Sequence, residues 1–296
     1  MIPDAPWRVV VVSQIPRVAA GYAELVRSLG HEPVAHMAAR FPPRFDSPRA
    51  RHFAAGLLLE GPQELDLVYP AGKDRIAPVL RFYEPDLLLC TAFPWRLPAD
   101  ALAVPRIACV NGHPSLLPRY RGPTPMGWAV RNGETQIGMT FHVMDETFDT
   151  GGILAQKAVP LDDEESMDTL WPKLGSAAGE LLPVVFERLA RGELGEPQED
   201  GEYQSLFDDD YAFVDTAHTA AEVHTQVRAW RLSPIGKNER GPILERDAER
   251  FRILKSSLTE VEGAERLDCA DAPLWIVETE PADPQPGYDS AGESPA

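Results

Sequence analysis

Four consecutive valines, Val9–Val12, stand between Arg8 and Ser13 near the start of the chain. A strand that is apolar at every position is typical of a parallel sheet covered by helices on both faces. A segment with helical spacing follows at 19–29 and ends before Gly30, a residue favoured just after a helix. The start of the chain therefore predicts a strand and a helix of an α/β fold.

The alternation continues along the next 160 residues. Because prolines interrupt 41–62, we expect a loop there with at most one helical turn. Alternating strands and helices predict a doubly wound, Rossmann-like, mostly parallel sheet, with ligands at the carboxyl ends of its strands. Strands are predicted at 33–37, 65–69, 86–91, 107–110, 136–144 and 153–159, and helices at 74–83, 98–103 and 166–189.

Composition changes after the last of these helices. Residues 193–215 contain nine acidic residues and no basic one, which predicts a solvated acidic linker. A helix candidate at 219–230 and strand candidates at 251–254 and 274–277 predict a small α+β subdomain. The predicted organisation is a catalytic domain at 1–192, the linker at 193–215, the C-terminal subdomain at 216–277 and a disordered acidic tail at 278–296.

Charge and composition exclude several classes of protein. The net charge of -18, from 28 basic and 46 acidic residues, disfavours DNA and anionic membrane surfaces as partners. No run of 18 apolar residues occurs and the opening segment lacks the pattern of an export signal. Three scattered cysteines cannot form a disulfide framework. We therefore expect a cytoplasmic protein.

Residues 111–122 carry the most specific chemistry in the chain: Asn-Gly-His-Pro-Ser-Leu-Leu-Pro-Arg-Tyr-Arg-Gly, followed later by Asp149-Thr150-Gly151-Gly152. The two-residue period of a strand directs Asn111 and His113 to the same face. An amide that stabilises an oxyanion, and an imidazole oriented by Asp149, suit acyl transfer without a covalent intermediate. Pairing with Asp149 is expected to make His113 protonate more readily.

Other interpretations of these residues are weaker. His113, His142 and Asp149 could form a metal site with two imidazoles and one carboxylate, but the face to which His142 points is not fixed by the sequence, and we expect no metal. Ser115 lacks the Gly-x-Ser-x-Gly context of a nucleophile, which favours a role as a turn hydroxyl. The glycines at 151 and 152 are interpreted as a tight turn.

The string Asn111-x-His113-x-Ser115-Leu116-Leu117-Pro118-x-Tyr120-Arg121-Gly122, with Asp145-x-x-x-Asp149-Thr150-Gly151, resembles the 10-formyltetrahydrofolate-dependent formyltransferase family. That family includes methionyl-tRNA, glycinamide ribonucleotide and amino-sugar formyltransferases. The resemblance implies catalytic roles for Asn111, His113 and Asp149, and 10-formyltetrahydrofolate as co-substrate. It also implies cofactor contacts from Arg96, Leu97, Ser115, Leu116, Leu117, Pro118, Val143, Asp145 and Phe148.

The identity of the acceptor is less constrained. The acidic linker and the short C-terminal region depart from the methionyl-tRNA branch, so we expect a small-molecule amine such as an amino sugar, and tRNA is disfavoured. The alternatives are a methionyl-tRNA formyltransferase, a 10-formyltetrahydrofolate hydrolase, and a folate-binding protein without turnover. The subdomain could hold the acceptor or a second subunit of a homodimer. A basic cluster, Arg40, Arg44, Arg49, Arg51 and His52, could meet an anionic substrate.

Overall fold

The computed structural model describes residues 6–40, 48–233, 241–246 and 249–282, with the backbone alone at 48–53. The chain forms two compact units, residues 1–205 and residues 206–296. No helix in the described ranges has both the length and the apolar composition needed to cross a membrane.

The first unit is built on a sheet whose described strands number seven, in the order β3-β2-β1-β4-β5-β6-β7. Strands β1 to β5 are parallel to one another, whereas β6 is antiparallel to both β5 and β7. The predicted α/β fold with a mostly parallel sheet is confirmed. The elements are β1 (Arg8–Ser13), α1 (Pro16–Ser28), β2 (Glu32–Met37), α2 (Pro48–Leu59), β3 (Asp66–Val68), α3 (Ile76–Tyr83), β4 (Leu87–Thr91), α4 (Ala99–Leu102), β5 (Ala108–His113), α5 (Pro125–Arg131), β6 (Gln136–Val143), β7 (Ile153–Pro160) and α6 (Met167–Ala190).

The sheet lies at the centre of the first unit because its strands are apolar on both faces. All four valines of β1 are completely buried, as are Leu87–Leu89 of β4. Helix α1 covers the sheet with Ala19, Ala23 and Val26, which the helical repeat places on one side. Burial of both strand faces explains why the strands read as continuous apolar runs.

The expected loop at 41–62 is wrong for its second half, where α2 spans Pro48–Leu59. Proline is tolerated in the first turn of a helix because the first amide groups have no helical partner. Pro48 therefore begins this helix instead of preventing it. Helix α5 also begins at a proline, Pro125, and was not predicted.

The chain does not leave the first unit after α6. Ile153 and Glu196 exchange two backbone hydrogen bonds of 2.8 and 2.9 Å, and the Gln204 amide donates to the Arg121 carbonyl at 2.8 Å. We call residues 196–205 the return segment. The prediction of a solvated linker is wrong for this segment, because backbone pairing holds it on the first unit although its side chains are acidic.

The second unit has one α-helix, a short 3-10 helix at Asp210–Ala212 and one antiparallel sheet in its described part. Its sheet has the order β10-β11-β9-β8. Val223 and Val227 of α7 pack in one core cluster with Leu274 of the sheet. The predicted small α+β subdomain is confirmed. The predicted tail does not begin at 278, since β11 pairs with β9 as far as Pro281; residues 283–296 lie outside the described ranges. The elements are α7 (Ala220–Arg231), β8 (Ile243–Arg246), β9 (Glu249–Ser257), β10 (Glu265–Asp268) and β11 (Pro273–Pro281).

Candidate active site

The Asp149 carboxylate is the centre of a buried polar cluster in the first unit. Its Oδ1 lies 3.3 Å from Asn111 Nδ2 and 3.5 Å from both His113 Nδ1 and His142 Nε2. Its Oδ2 accepts a 2.9 Å hydrogen bond from the Gly122 amide. The structure thus brings together the amide, imidazole and carboxylate that the sequence singles out.

Strands β5 and β6 place the donors of this cluster. Asn111 and His113 stand two residues apart on β5, and the antiparallel register sets His142 of β6 opposite Asn111. The Asn111 Nδ2 and His142 Nε2 atoms are 3.1 Å apart. Gly112 faces the other way, where an added Cβ would lie 2.6 Å from the Tyr22 hydroxyl. Tight packing beneath β5 therefore requires glycine between the two polar residues.

Backbone carbonyls fix which nitrogen of each imidazole carries a proton. His113 Nε2 lies 2.9 Å from the Tyr120 carbonyl and His142 Nδ1 lies 3.0 Å from the Val143 carbonyl. Since a carbonyl only accepts, those nitrogens are the donors. In its neutral form, His113 turns the lone pair of Nδ1 toward Asp149, and His142 accepts from Asn111 at Nε2.

Burial and charge act in opposite directions on the cluster. Burial by itself raises the pKa of Asp149, but the nearby imidazoles of His113 and His142 and the hydrogen bond from the Gly122 amide outweigh it and hold the pKa at about 2. Burial lowers the pKa of His113 below its usual 6.5, and the nearby Asp149 only partly opposes this. The expectation that His113 protonates more readily is therefore wrong: it is neutral at pH 7 beside an ionised carboxylate.

The backbone around the cluster is strained. Asp149 and Tyr120 have φ values of 58° and 59°, in the left-handed region that costs a non-glycine residue about 1 kcal/mol or more. A Cβ on Gly151 would lie 1.8 Å from the Val143 carbonyl oxygen, and the Val143 amide donates to Gly152 at 2.9 Å. The glycines at 151 and 152 make a close approach to β6 that shapes the loop carrying Asp149.

The segment from Ser115 to Pro118 supports the site from below. The Ser115 hydroxyl donates to the Arg119 carbonyl at 2.7 Å, and the Thr140 hydroxyl donates to the Ser115 carbonyl at 2.6 Å. Leu117 is buried, and Leu116 packs against Gly138 of β6. Ser115 is completely buried and forms a turn, as its context predicted. These residues brace the loop after β5, and contact between them and a cofactor stays a prediction.

The other predicted cofactor residues fall into two groups. Val143 ends β6, and Asp145 and Phe148 follow it on the β6–β7 loop with Asp149, where Asp145 accepts hydrogen bonds from Thr147 and Thr150. Phe148 lies 6.0 Å from the Tyr203 ring, measured between ring centroids. Leu97 is buried in a core cluster against which Trp95 and Met144 pack, and Arg96 is exposed.

Sequence reasoning did not identify the contacts that Arg121, Gln198 and Tyr203 make around the site. Arg119 pairs with Glu134, whereas Arg121 binds the Gln198 amide oxygen and two backbone carbonyls. Gln198 and Tyr203 belong to the return segment, whose acidic composition concealed them. A glutamine within an acidic run carries no pattern that indicates a structural contact.

The geometry gives little support to a metal site or a phosphate site. Over the described residues, no group of three or more histidine, cysteine, aspartate or glutamate side chains could hold a metal ion. His142 Nε2 is engaged by Asn111 Nδ2 at 3.1 Å. The side chains of Arg44, Arg49, Arg51 and His52 lie outside the described residues.

Part of the chain that carries this cluster matches a known family model. Residues 68–186 match the family model described as "Formyl transferase", and the matched segment contains Asn111, His113, His142 and Asp149.

One curated relative and two solved structures are examples of proteins to which this chain is similar. The chain is 37% identical over 158 residues to "Methionyl-tRNA formyltransferase" of Pelobacter propionicus. The match covers 51% of this chain and 49% of the relative, and so spans about half of the relative's length. The fold is similar to HypX from Aquifex aeolicus in complex with tetrahydrofolic acid (TM-score 0.68, 16% identity, 94% of this chain and 44% of that chain). It is also similar to a 4-N formyltransferase from Francisella tularensis (TM-score 0.62, 22% identity, 81% and 93%).

Proposed function

We propose that this protein transfers the formyl group of 10-formyltetrahydrofolate to the amine of a small metabolite. The observation that carries the proposal is the convergence of Asn111, His113 and the Gly122 amide on Asp149, inside the segment that matches the formyl transferase model. Amide donors, an imidazole and a buried carboxylate are the groups that formyl transfer between two nitrogens needs.

The proposed chemistry requires no bond to the protein. The acceptor amine attacks the formyl carbon, and the carbonyl oxygen becomes an oxyanion. Asn111 Nδ2 exchanges its long 3.3 Å contact with Asp149 for a bond to this oxyanion, an interaction worth about 3 kcal/mol in comparable sites. The His113–Asp149 pair takes the amine proton and returns it to the folate nitrogen as the carbon–nitrogen bond breaks.

The co-substrate has a natural place beside Asp149. The proposed folate contacts are Val143 at the end of β6, Asp145 and Phe148 on the β6–β7 loop that carries Asp149, and Leu97 and Arg96. The structure of HypX contains tetrahydrofolic acid, which supports folate as the formyl donor here. In this proposal Ser115, Leu116, Leu117 and Pro118 shape the folate pocket from the loop that they brace.

Two acceptors compete, and different observations favour each. The net charge of -18 opposes binding to a polyanion and supports a small amine; the likeness in fold to a 4-N formyltransferase agrees. The names of the curated relatives make methionyl-tRNA the second candidate and weigh against disfavouring tRNA. A homodimer and a role for the second unit in holding the acceptor stay predictions.

One assay separates the candidates. Tetrahydrofolate release from 10-formyltetrahydrofolate is measured with no acceptor, with methionyl-charged tRNA, and with a pool of amino sugars and amino acids. Release that needs the small-molecule pool supports the proposal, and release that needs charged tRNA replaces the acceptor. Full-rate release without acceptor identifies a hydrolase, and folate binding without release identifies a binding protein.

A further inference from the structure

The side chain of Gln198 holds the backbone of the loop that carries Asp149. Its Nε2 donates to the Asp149 carbonyl at 3.0 Å and to the Gly151 carbonyl at 2.7 Å. Both protons of the amide are therefore used on the two sides of the Asp149–Gly151 turn. Gln198 comes from the return segment, 49 residues further along the chain than Asp149.

Arg121 fixes the orientation of that amide. Its Nε and Nη2 donate to Gln198 Oε1 at 3.2 and 2.9 Å, and its remaining bonds reach the Gly201 and Glu199 carbonyls at 3.0 Å each. Because a guanidinium only donates, the atom of Gln198 that faces it must be the oxygen, and Nε2 must face the turn. The Arg121 residue is 8% exposed, so water competes little for these bonds.

The same turn is the strained part of the site. Asp149 is held at a φ of 58°, and this conformation lets Oδ2 accept from the Gly122 amide at 2.9 Å. A left-handed non-glycine residue persists only where its surroundings determine its conformation. The bonds from Gln198 act on the backbone on both sides of the strained peptide groups, whereas neither Gln198 nor Arg121 is hydrogen-bonded to the carboxylate.

We infer that Gln198 and Arg121 are positioning residues that hold the Asp149 carboxylate in its place for formyl transfer. The catalytic consequence rests on the proposed function, whereas the geometric one does not. Loss of the Gln198 donors releases the turn, weakens the bond from Gly122 to the carboxylate and displaces Asp149 from Asn111 and His113.

The test replaces Gln198 with methionine, which has a similar length and no donor. Gln63→Met is the matched control, since Gln63 Nε2 also bridges two backbone carbonyls, those of Leu58 and Gly61, at 3.0 and 2.8 Å. In Gln198→Met, kcat is expected to fall about tenfold while the KM for 10-formyltetrahydrofolate changes less than about twofold. Gln63→Met is expected to keep both constants.

A titration independent of activity accompanies the kinetics. The carboxyl carbon of Asp149 is followed by NMR from pH 7 downward, and its pKa is expected to rise from about 2 in Gln198→Met but not in Gln63→Met. A rise supports positioning even where the wild-type protein transfers no formyl group, in which case the proposed function alone fails. An unchanged titration in a folded Gln198→Met variant overturns the inference.

Arg121→Lys provides a second route if Gln198→Met does not fold. Lysine keeps the charge but cannot reproduce the planar set of bonds to three oxygens. The same upward shift of the Asp149 pKa is expected. Arg8→Lys is the control because Arg8 binds the Tyr83 carbonyl through two nitrogens at 3.1 and 2.9 Å. Equal titrations of Asp149 in Arg121→Lys and Arg8→Lys contradict the inference.

Discussion

Gly151→Ala places a single carbon at the tightest backbone contact of the site. The added Cβ would lie 1.8 Å from the Val143 carbonyl oxygen and 2.9 Å from the Val143 carbonyl carbon. To reach the 3.0 Å below which such contacts are essentially absent, β6 and the loop must separate by about 1.2 Å. Asp149 is two residues away, and a misplacement of about 1 Å can cost a catalytic group about 100-fold. We therefore expect kcat to fall about 100-fold, equivalent to about 2.7 kcal/mol of transition-state stabilisation.

Steady-state tetrahydrofolate release measures this effect, with circular dichroism and denaturant unfolding of the same preparations. Gly21→Ala is the control, because a Cβ on Gly21 in α1 meets no atom within 4 Å. It should keep kcat and stabilise the helix by up to about 1 kcal/mol. A folded Gly151→Ala variant with the kcat of the wild type would refute the argument that the 151–143 contact sets the position of Asp149.

Three further outcomes follow from the geometry. Asn111→Ala should lower kcat about 100-fold with an unchanged unfolding midpoint, since it removes an oxyanion donor; steady-state kinetics and thermal unfolding test this, and an unchanged kcat removes Asn111 from the mechanism. Burial lowers the pKa of His113 below 6.5, so protonation of His113 lowers both activity and stability only on the acid side. We therefore expect kcat/KM to be flat from pH 7 to 8 and to fall below pH 6.5. A fall between pH 7 and 8 would contradict this. Gly138→Ala should destabilise the first unit by about 1–3 kcal/mol, since its Cβ would lie 2.3 Å from a methyl carbon of Leu116. In denaturant unfolding, Leu116→Ala in the same chain should recover part of this loss of stability. Strictly additive losses of stability would show that the two side chains do not meet.

Periodicity was sufficient where the local repeat decides the structure. The apolar runs of β1 and β4 and the alternation with helices predicted the sheet, and the two-residue spacing of Asn111 and His113 predicted their common face. Strand β10 escaped because its sequence Glu-Arg-Leu-Asp has one apolar residue, and its place is set by pairing with β11. Tertiary pairing of this kind leaves no trace in a single short segment.

The electrostatics of the site could not be predicted from residue types. A carboxylate beside an imidazole suggested a readily protonated His113, but complete burial decides the direction of the shift. The contact from the Gly122 amide to Asp149 depends on a left-handed backbone, which the sequence does not encode at an aspartate. Arg121 and Gln198 are 77 residues apart, and only the folded chain shows that they meet.

The return segment also determines where this protein can be divided. Helix α6 ends at Ala190. A domain boundary drawn just after it, as the sequence suggests, would discard Gln198 and the pairing of Arg121 with Tyr203. Recombination that grafts a different C-terminal module onto the first unit must therefore join the two after Ser205. The residues before the junction then stay in the same chain as the proposed active site, whichever module follows them.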